Sequence, residues 1–504
     1  MPTHATGQTW TRSAFFPPIA LDRDGAVPIY RQLYDWFQRA IIGGRLRSGQ
    51  RVPSSRSLAA ELNVSRIPIL TAYEQLLAEG YLEAIKGAGT IVAASIPQME
   101  FSAASRLRKP SELPARPLRL ARRIEKAMAA PVEIVPPPGT AFGACQPALR
   151  EFPIEIWSSL IARHARAMPA AAMGYGDVMG EPGLREAIAE YLGAARALTC
   201  DASQIMIVAG SQHGLQIAAR TLLNEGDPVW IENPGYPRAR RAFLMAGAKL
   251  TPVPIDREGL DVRAGEQRCP HARAAYITPS HQYPMGMTMS ATRRMQLLNW
   301  AARANTWIIE DDYNSEFRFA GRPVAALHGL DGDDRVIYVG TFSKILFPAL
   351  RVGYLVIPKA LVKAFCVARD SMDIFPAPFL QGVLTDFIRA GHFARHVRRM
   401  RILYLARQQT LIAALSSALG SQVEMMGTDA GLHLVALLPD TIDDVEISRR
   451  AAASRLAVTP LSSCYLGRRK RKGLILGYGG VDQSTIERAV KQLSRQMHKA
   501  APQA

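Results

Sequence analysis

Cysteine is scarce and scattered in this chain of 504 residues: the five, Cys145, Cys200, Cys269, Cys366 and Cys464, all stand singly. No pair has the close spacing of a zinc ribbon or a redox motif, and no disulfide framework is legible. Reduced thiols in a cytoplasmic protein are the natural expectation. A leader pattern is lacking too, since MPTHATGQTWTRS has no basic-then-apolar order. Nor is there an uninterrupted run of membrane length; the segment from Val352 to Ala368 is broken by Pro358, Lys359 and Lys363. Acidic residues are outnumbered, 43 against 61 Lys and Arg, leaving a formal net charge of +18. That balance fits a polyanionic partner such as nucleic acid, although a solvated basic surface gives the same total. His392 and His396 have a metal-compatible i,i+4 spacing, but no acid or third ligand is near and arginines surround them. The pair reads as a solvated or DNA-proximal helix face, and no metal is expected.

What is present divides into three, in keeping with the length. From Pro28 to Ala94 the pattern is helical, then hairpin-like. Ile29, Leu33, Phe37 and Ile41 share a helical face that Gly43 and Gly44 end. SRSLAAEL makes a second short helix. A third starts at Ser65, expected as its N-cap, and buries Ile69, Ala72, Tyr73 and Leu76 before Gly80 stops it. Pro68 falls in its first turn, where a missing N–H is tolerated. YLEAIKGAGTIVA reads as two short strands around a turn. This is the order of a winged helix, whose third helix would enter the major groove while the hairpin tip around Lys86 touches backbone or minor groove. Periodicity alone leaves a small structural helical domain equally open.

Residues 95–140 change character, with the run Pro136-Pro137-Pro138 and the cluster Arg106, Arg108, Lys109, Arg116, Arg119, Arg122 and Arg123. A linker is expected there. From 141 to 504, apolar segments (QIMIVAG, PVWIE, AAYIT, TWIIED, RVIYVGT) alternate with helical ones. That alternation predicts a mainly parallel sheet covered on both faces, with a smaller helix-rich subdomain after about Ala377.

A lysine comes just after the last of these strands in GTFSKILFPALRVGYL. A buried lysine can condense with an aldehyde when its amine is neutral part of the time. For pyridoxal phosphate, the ring nitrogen then needs a carboxylate, the phosphate needs backbone N–H groups and an arginine, and the ring needs an aromatic platform. Asp311 ends one strand, with Tyr313 beside it as a partner for the ring hydroxyl. Gly210, Ser211 and Gln212 open a helix that could cradle phosphate, and Tyr236 could stack. Each is weak alone, because a Ser-Lys after a strand is more often structural than catalytic. Together, in a consistent order, they carry weight.

From about Ala141 the chain resembles fold-type I aminotransferases. The resemblance implies that Lys344 is the Schiff-base lysine and Arg351 the phosphate arginine, with Thr341 and Ser343 helping to hold the phosphate. YGDVMGEPGLREAIAEYL resembles the segment whose tyrosine, here Tyr175, reaches the partner subunit's phosphate, which implies a homodimer. The stretch VPSSRSLAAELNVSRIPILTAYEQLLAEGYL is similar to GntR-type winged helices and implies DNA contacts from Arg56, Ser65 and Arg66. With a long linker between them, and with the phrases TPSHQYPMG, EDDYNSEFRF and RHVRRMR, the whole resembles the MocR-type subgroup of GntR regulators.

The implied organisation is a winged helix-turn-helix over 26–94, a linker over 95–140, and a pyridoxal phosphate-binding effector and dimerisation domain over 141–504. The implied function is a transcriptional regulator that binds a double-stranded DNA operator and senses an amino compound or the cofactor itself. An aminotransferase with a DNA-binding extension is the alternative. Two departures favour capture over turnover. Tyr283 stands where those enzymes place an asparagine before Pro-x-Gly, and Leu474 and Ile475 stand where they supply a carboxylate-binding arginine. Arg238 is the substitute candidate for an acidic group on the effector; a helix-surface arginine beside Arg240 and Arg241 is the equal alternative.

Overall fold

The computed structural model describes residues 16–85, 89–94, 119–130, 136–320, 325–420, 423–467 and 471–500. The chain forms two compact units, Met1–Arg119 and Leu120–Ala504.

In the first unit, helices α1 (Ile29–Ile42), α2 (Ser55–Leu62) and α3 (Arg66–Ala78) precede strands β1 (Leu82–Ile85) and β2 (Gly89–Val92). The strands pair antiparallel, with Leu82 opposite Val92 and Ile85 opposite Gly89. Leu33, Phe37 and Ile41 meet Leu58, Ile69, Tyr73 and Leu76 in one core that Val92 closes. The Tyr73 hydroxyl donates to the Pro53 carbonyl at 2.9 Å, which ties α3 to the turn before α2. Ser54 caps α2 by accepting from the Ser57 amide at 3.1 Å. Ser65 differs from expectation. It occupies the N-cap position of α3 with extended backbone, but its hydroxyl makes no cap hydrogen bond and stands in solvent. Lys86 lies outside the described residues.

The second unit opens with α4 (Arg122–Met128) inside the stretch expected to be linker, packed on the helix that follows β4. Then come α5 (Ile154–Arg166), α6 (Pro182–Arg196), β3 (Ile205–Val208), α7 (Ser211–Leu222), β4 (Pro228–Asn233), α8 (Pro237–Met245), β5 (Lys249–Asp256), β6 (Gly259–Leu260), α9 (Val262–Arg268), β7 (Ala274–Ile277), α10 (Ala291–Ala304), β8 (Trp307–Asp312), β9 (Val336–Thr341) and β10 (Gly353–Val356). The sheet order is β3-β10-β9-β8-β7-β4-β5-β6. Strands β9, β8, β7, β4 and β5 are parallel, whereas β10 runs antiparallel between β3 and β9. Strand β5 tolerates Pro252 and Pro254 because only one of its edges is fully paired. Its other edge meets just the two residues of β6, so the missing amides cost no ladder bonds.

After α11 (Val362–Asp373), α12 (Phe379–Arg389) and the 28-residue α13 (His392–Leu419) comes the smaller subdomain. It contains β11 (Glu424–Met426), β12 (His433–Leu437), α14 (Asp444–Ala453), β13 (Thr459–Pro460), β14 (Gly473–Gly477) and α15 (Gln483–Ala500). Its antiparallel sheet has the order β11-β12-β14-β13, and α13 packs along α15. His396 corrects the reading of α13 as a solvated face at both histidines. It is buried against Phe152, bonded to the Ile345 carbonyl, and pushed down to about 4 by burial.

Candidate functional site

The carboxyl ends of parallel strands leave a crevice where α/β sheets bind ligands. Four such ends carry the expected residues. After β3, Gly210 at φ +85° starts α7, so Ser211 and Gln212 form its first turn and their amides have no intrahelical acceptors. The positive φ at position 210 favours glycine, and a Cβ there would stand 3.1 Å from both terminal nitrogens of Arg351, which would have to give way. Arg351 donates to the Ala209 carbonyl and lies at φ +52°. This places guanidinium and helix N-terminus side by side, the pairing an anion needs. Thr341, the last residue of β9, accepts from the Ser343 amide at 3.2 Å, while the buried Ser343 hydroxyl has no partner among the described residues. Gln212 donates from Nε2 to the Arg238 carbonyl at 3.1 Å, and its buried Oε1 is unmet. Arg238 itself is half-buried.

The end of β8 holds the carboxylate. Asp311 is 3 % exposed; its Oδ2 accepts from the Tyr276 hydroxyl at 2.8 Å and its Oδ1 has no donor among the described residues. Burial pushes its carboxyl up to about 7, against the Tyr276 bond and the nearby Lys344 ammonium, which favour the anion. The same ammonium disfavours charge on His433, which burial holds down to about 4. Lys344 itself is half-buried and acts electrostatically on both groups. Beneath them, Arg196 pairs with Asp312 at 2.6 Å, and Tyr338 donates to Asp312 at 2.7 Å.

Aromatic rings wall the crevice. Tyr236, at the N-terminus of α8, lies 5.2 Å edge-on from Tyr283, and Tyr283 lies 6.2 Å from Tyr313. The buried Tyr313 hydroxyl has no hydrogen-bond partner, although burial keeps it strongly protonated. Ile475 of β14 packs in the same cluster as Tyr283, so the subdomain presents a hydrocarbon there. Tyr175 is set apart from these rings: it is 87 % exposed and packs at 5.8 Å on Phe375.

In the first unit, Arg56, Ser65 and Arg66 are exposed around the start of α3. Arg66 donates from Nε to the Ser55 hydroxyl at 2.9 Å, which holds its guanidinium at the N-terminus of α2.

Two family models divide the chain as the fold does. Residues 29–92 match bacterial regulatory proteins of the gntR family, and residues 150–493 match aminotransferase class I and II. The probable rhizopine catabolism regulatory protein MocR of Rhizobium meliloti is 40% identical over 94% of this chain and 95% of its own length. The chain belongs to the MocR-type regulators of the GntR family. Another relative, the pyridoxine biosynthesis transcriptional regulator PdxR of Corynebacterium glutamicum, is 32% identical over 95% of this chain and 98% of its own. Among solved structures, the kynurenine aminotransferase of Pyrococcus horikoshii superposes with a TM-score of 0.66 at 27% identity, covering 79% of this chain and 99% of that one. The aminoadipate aminotransferase LysN of Thermus thermophilus, crystallised with a phosphopyridoxyl-leucine adduct, gives 0.67 at 26% identity over 75% and 95%. This MocR-type chain therefore joins a GntR DNA-binding unit to a domain with the aminotransferase fold, and that fold implies a pyridoxal phosphate site. The full-length relatives are regulators, while the structural neighbours of the second unit are enzymes.

Other residues at the site had no legible signal in the sequence. Arg240 is 3 % exposed and donates from Nη2 to the Cys464 carbonyl, yet its Nε and Nη1 meet no partner. Glu232 accepts from Thr278 and Gln282 and is pushed up to about 7 by burial. His281 is buried with both ring nitrogens unbonded and is held well below its ordinary value by burial. His281 lies inside the phrase TPSHQYPMG, but for all three only the fold reveals that the side chain is enclosed. Among the described residues, no helix is long and apolar enough to cross a membrane.

Proposed function

We propose that this regulator holds pyridoxal phosphate on Lys344 and reads an amino compound, or the cofactor itself, at that position. The observation that carries the reading is the unbonded Oδ1 of Asp311, buried beside Lys344 at the end of β8. A buried carboxylate oxygen without a donor is costly, and a protonated pyridine nitrogen is the donor it lacks. The unmet hydroxyls of Tyr313 and Ser343 fit the ring hydroxyl and the phosphate in the same way. Gly210, Ser211, Gln212, Thr341 and Arg351 would hold the phosphate, with Tyr236 as the stacking platform.

Pyridoxal phosphate supplies an aldehyde that condenses with amines and a ring that withdraws electrons. The chain's own groups set the response to an amine. Asp311, as an anion, keeps the ring nitrogen protonated. Lys344 is the residue that would hold the aldehyde carbon, and an effector amine taking its place would leave its side chain free near Asp311 and His433. That difference in contacts is the requirement of a ligand-driven switch. Arg238 is the candidate partner for an acidic group on the effector. Tyr175, exposed beside Phe375, is assigned to the phosphate of a second subunit, which makes the working form a homodimer whose two DNA-binding units engage paired half-sites.

The alternative, steady transamination, is disfavoured by Ile475, an apolar side chain in the wall of the crevice where a carboxylate-binding arginine is common. The deciding experiment titrates the purified protein with pyridoxal phosphate and candidate amines, recording absorbance and binding to its own upstream DNA. Spectral capture with a change in DNA affinity is the expected result. Turnover with a keto-acid acceptor at ordinary enzyme rates would establish the alternative, and indifference of both readouts would end the sensor reading.

A further inference from the structure

We propose that Ile67 is a base-reading residue, its side chain packing on the 5-methyl group of a thymine in the major groove of each half-site. The inference rests on the first unit's binding duplex DNA, and it names the base chemistry that the start of α3 recognises there.

The outward positions of α3 are Arg66, Ile67, Thr71, Glu74 and Ala78. A recognition helix ordinarily reads base edges with Arg, Lys, Asn or Gln near its N-terminus. Here Arg66 stands alone among those types on that face, and its Nε is already committed to Ser55 at 2.9 Å. The Thr71 hydroxyl donates back to the Ile67 carbonyl at 3.1 Å, so it is occupied within the helix. Glu74 and Ala78 lie two and three turns along, beyond the first turn that reaches the bases. Gln75, half-buried, gives its amide to Glu79 at 2.9 Å.

Ile67, in contrast, is 73 % exposed and takes no part in the core built by Ile69, Ala72, Tyr73 and Leu76 of the same helix. It is the second residue of α3, on the first turn, where side chains of a docked helix reach the bases. Pro68 comes next, with fixed φ and no amide left to satisfy. A single exposed isoleucine is ordinary on a surface. One at the reading end of a helix that offers few hydrogen-bond donors is matched to a specific chemistry. The thymine methyl is the apolar group that the major groove presents at its base edges. Arg56 and Arg66, exposed on either side of the α2–α3 turn, supply the charge that brings this face to the phosphates.

The test uses the full-length protein. Sites are selected from a random duplex library, and each thymine of the best site is replaced singly by deoxyuridine, which removes only the methyl group. Wild type, Ile67→Ala and Ile67→Val are compared by dissociation constant. At one thymine per half-site, wild type is expected to lose roughly three- to tenfold in affinity, the scale of one buried methyl group. Ile67→Ala should bind thymine and uracil duplexes equally, and Ile67→Val should fall between. Because Ile67 is outside the core, both variants keep their helical circular dichroism, and a variant that loses it is replaced by Ile67→Thr. Selected sites at which wild type ignores every methyl, or a uracil penalty that persists undiminished in Ile67→Ala, would overturn the proposal alone. A library that enriches no sequence would overturn the DNA-binding reading and the proposal with it.

Discussion

In the first unit the side chains assigned to function stand in solvent; in the second, Asp311, Thr341 and Ser343 are enclosed, while Arg351 and Tyr175 are exposed. Arg56, Ser65 and Arg66 are exposed, whereas Asp311, Thr341 and Ser343 are each less than one-tenth exposed, with unbonded polar atoms on Asp311 and Ser343. The difference tracks the size of the partner. A duplex brings its own charge and hydration, so exposed cations suffice and little of the protein needs to be prearranged. A small ring with a phosphate must be surrounded, so its site buries polar groups that the fold alone leaves unsatisfied. The sharpest break between the two units is therefore Lys344→Ala. It should abolish the absorbance of protein-bound pyridoxal phosphate completely while leaving DNA affinity of the unliganded protein within about twofold, a change too small to count as coupling. Loss of DNA binding in that variant would mean that the units cannot be treated as separable in function.

Next in size is the titration of Asp311. Its carboxyl lies at about 7 in the folded chain against an ordinary 3.8. Between roughly pH 4 and pH 7 the folded state holds a proton that the unfolded state has released. Stability from this group is thus fully present below about pH 4, declines as pH rises, and is gone above about pH 7. The wild-type stability minus that of Asp311→Asn should fall across this window by on the order of 4 kcal/mol, read by urea unfolding of the cofactor-free protein. A flat difference would show that Asp311 is ionised throughout, with a donor on Oδ1 after all. Saturating cofactor should reduce the slope, because its ring nitrogen stabilises the anion.

Legibility from sequence divides along the same line. The first unit was readable nearly residue by residue, because a three-helix core declares itself in period-3.6 positions such as Leu33, Phe37, Ile69 and Leu76. Its exception is Ser65, whose position was right and whose hydrogen bond was not. In the second unit, strands β3, β4, β7, β8 and β9 were visible as short apolar runs. Strand β5 was hidden by Pro252 and Pro254, and β10 was not separated from the apolar stretch around it, although Pro348 opens the turn that precedes it. The helix Arg122–Met128 was hidden by its basic, proline-flanked surroundings. Around the crevice, the enclosure of Glu232, Arg240 and His281 was not legible, although His281 lies inside a quoted phrase. Enclosure is decided by which elements pack together, and no local pattern encodes it.

On the exposed side, Arg66→Ala should weaken DNA binding roughly tenfold and reduce the dependence on log salt by about one, as for loss of one phosphate contact. Ser55→Ala should weaken it only a few-fold, since Arg66 keeps its charge and loses its 2.9 Å tether. Equal effects of the two changes would mean that the tether, not the charge, sets the affinity. Neither should shift the cofactor absorbance.

The smallest expected effect lies in the enclosed unit. Truncating a buried arginine usually costs several kcal/mol because its carboxylate is stranded. Arg240 has no carboxylate within ion-pair distance among the described residues, and two of its three nitrogens are unbonded. Its one acceptor, the Cys464 carbonyl, also takes the Gly235 amide at 2.9 Å, so removing the guanidinium orphans nothing. Burial already opposes its charge. Arg240→Met, which keeps much of the side-chain volume, should therefore leave the cofactor-free protein within about 1 kcal/mol of wild type in urea unfolding, or above it. A loss of about 3 kcal/mol or more would show that Arg240 is fully paired in solution. It would also weaken the contrast between the two units, because the second unit's unpaired groups would then be satisfied by the protein itself rather than waiting for a ligand.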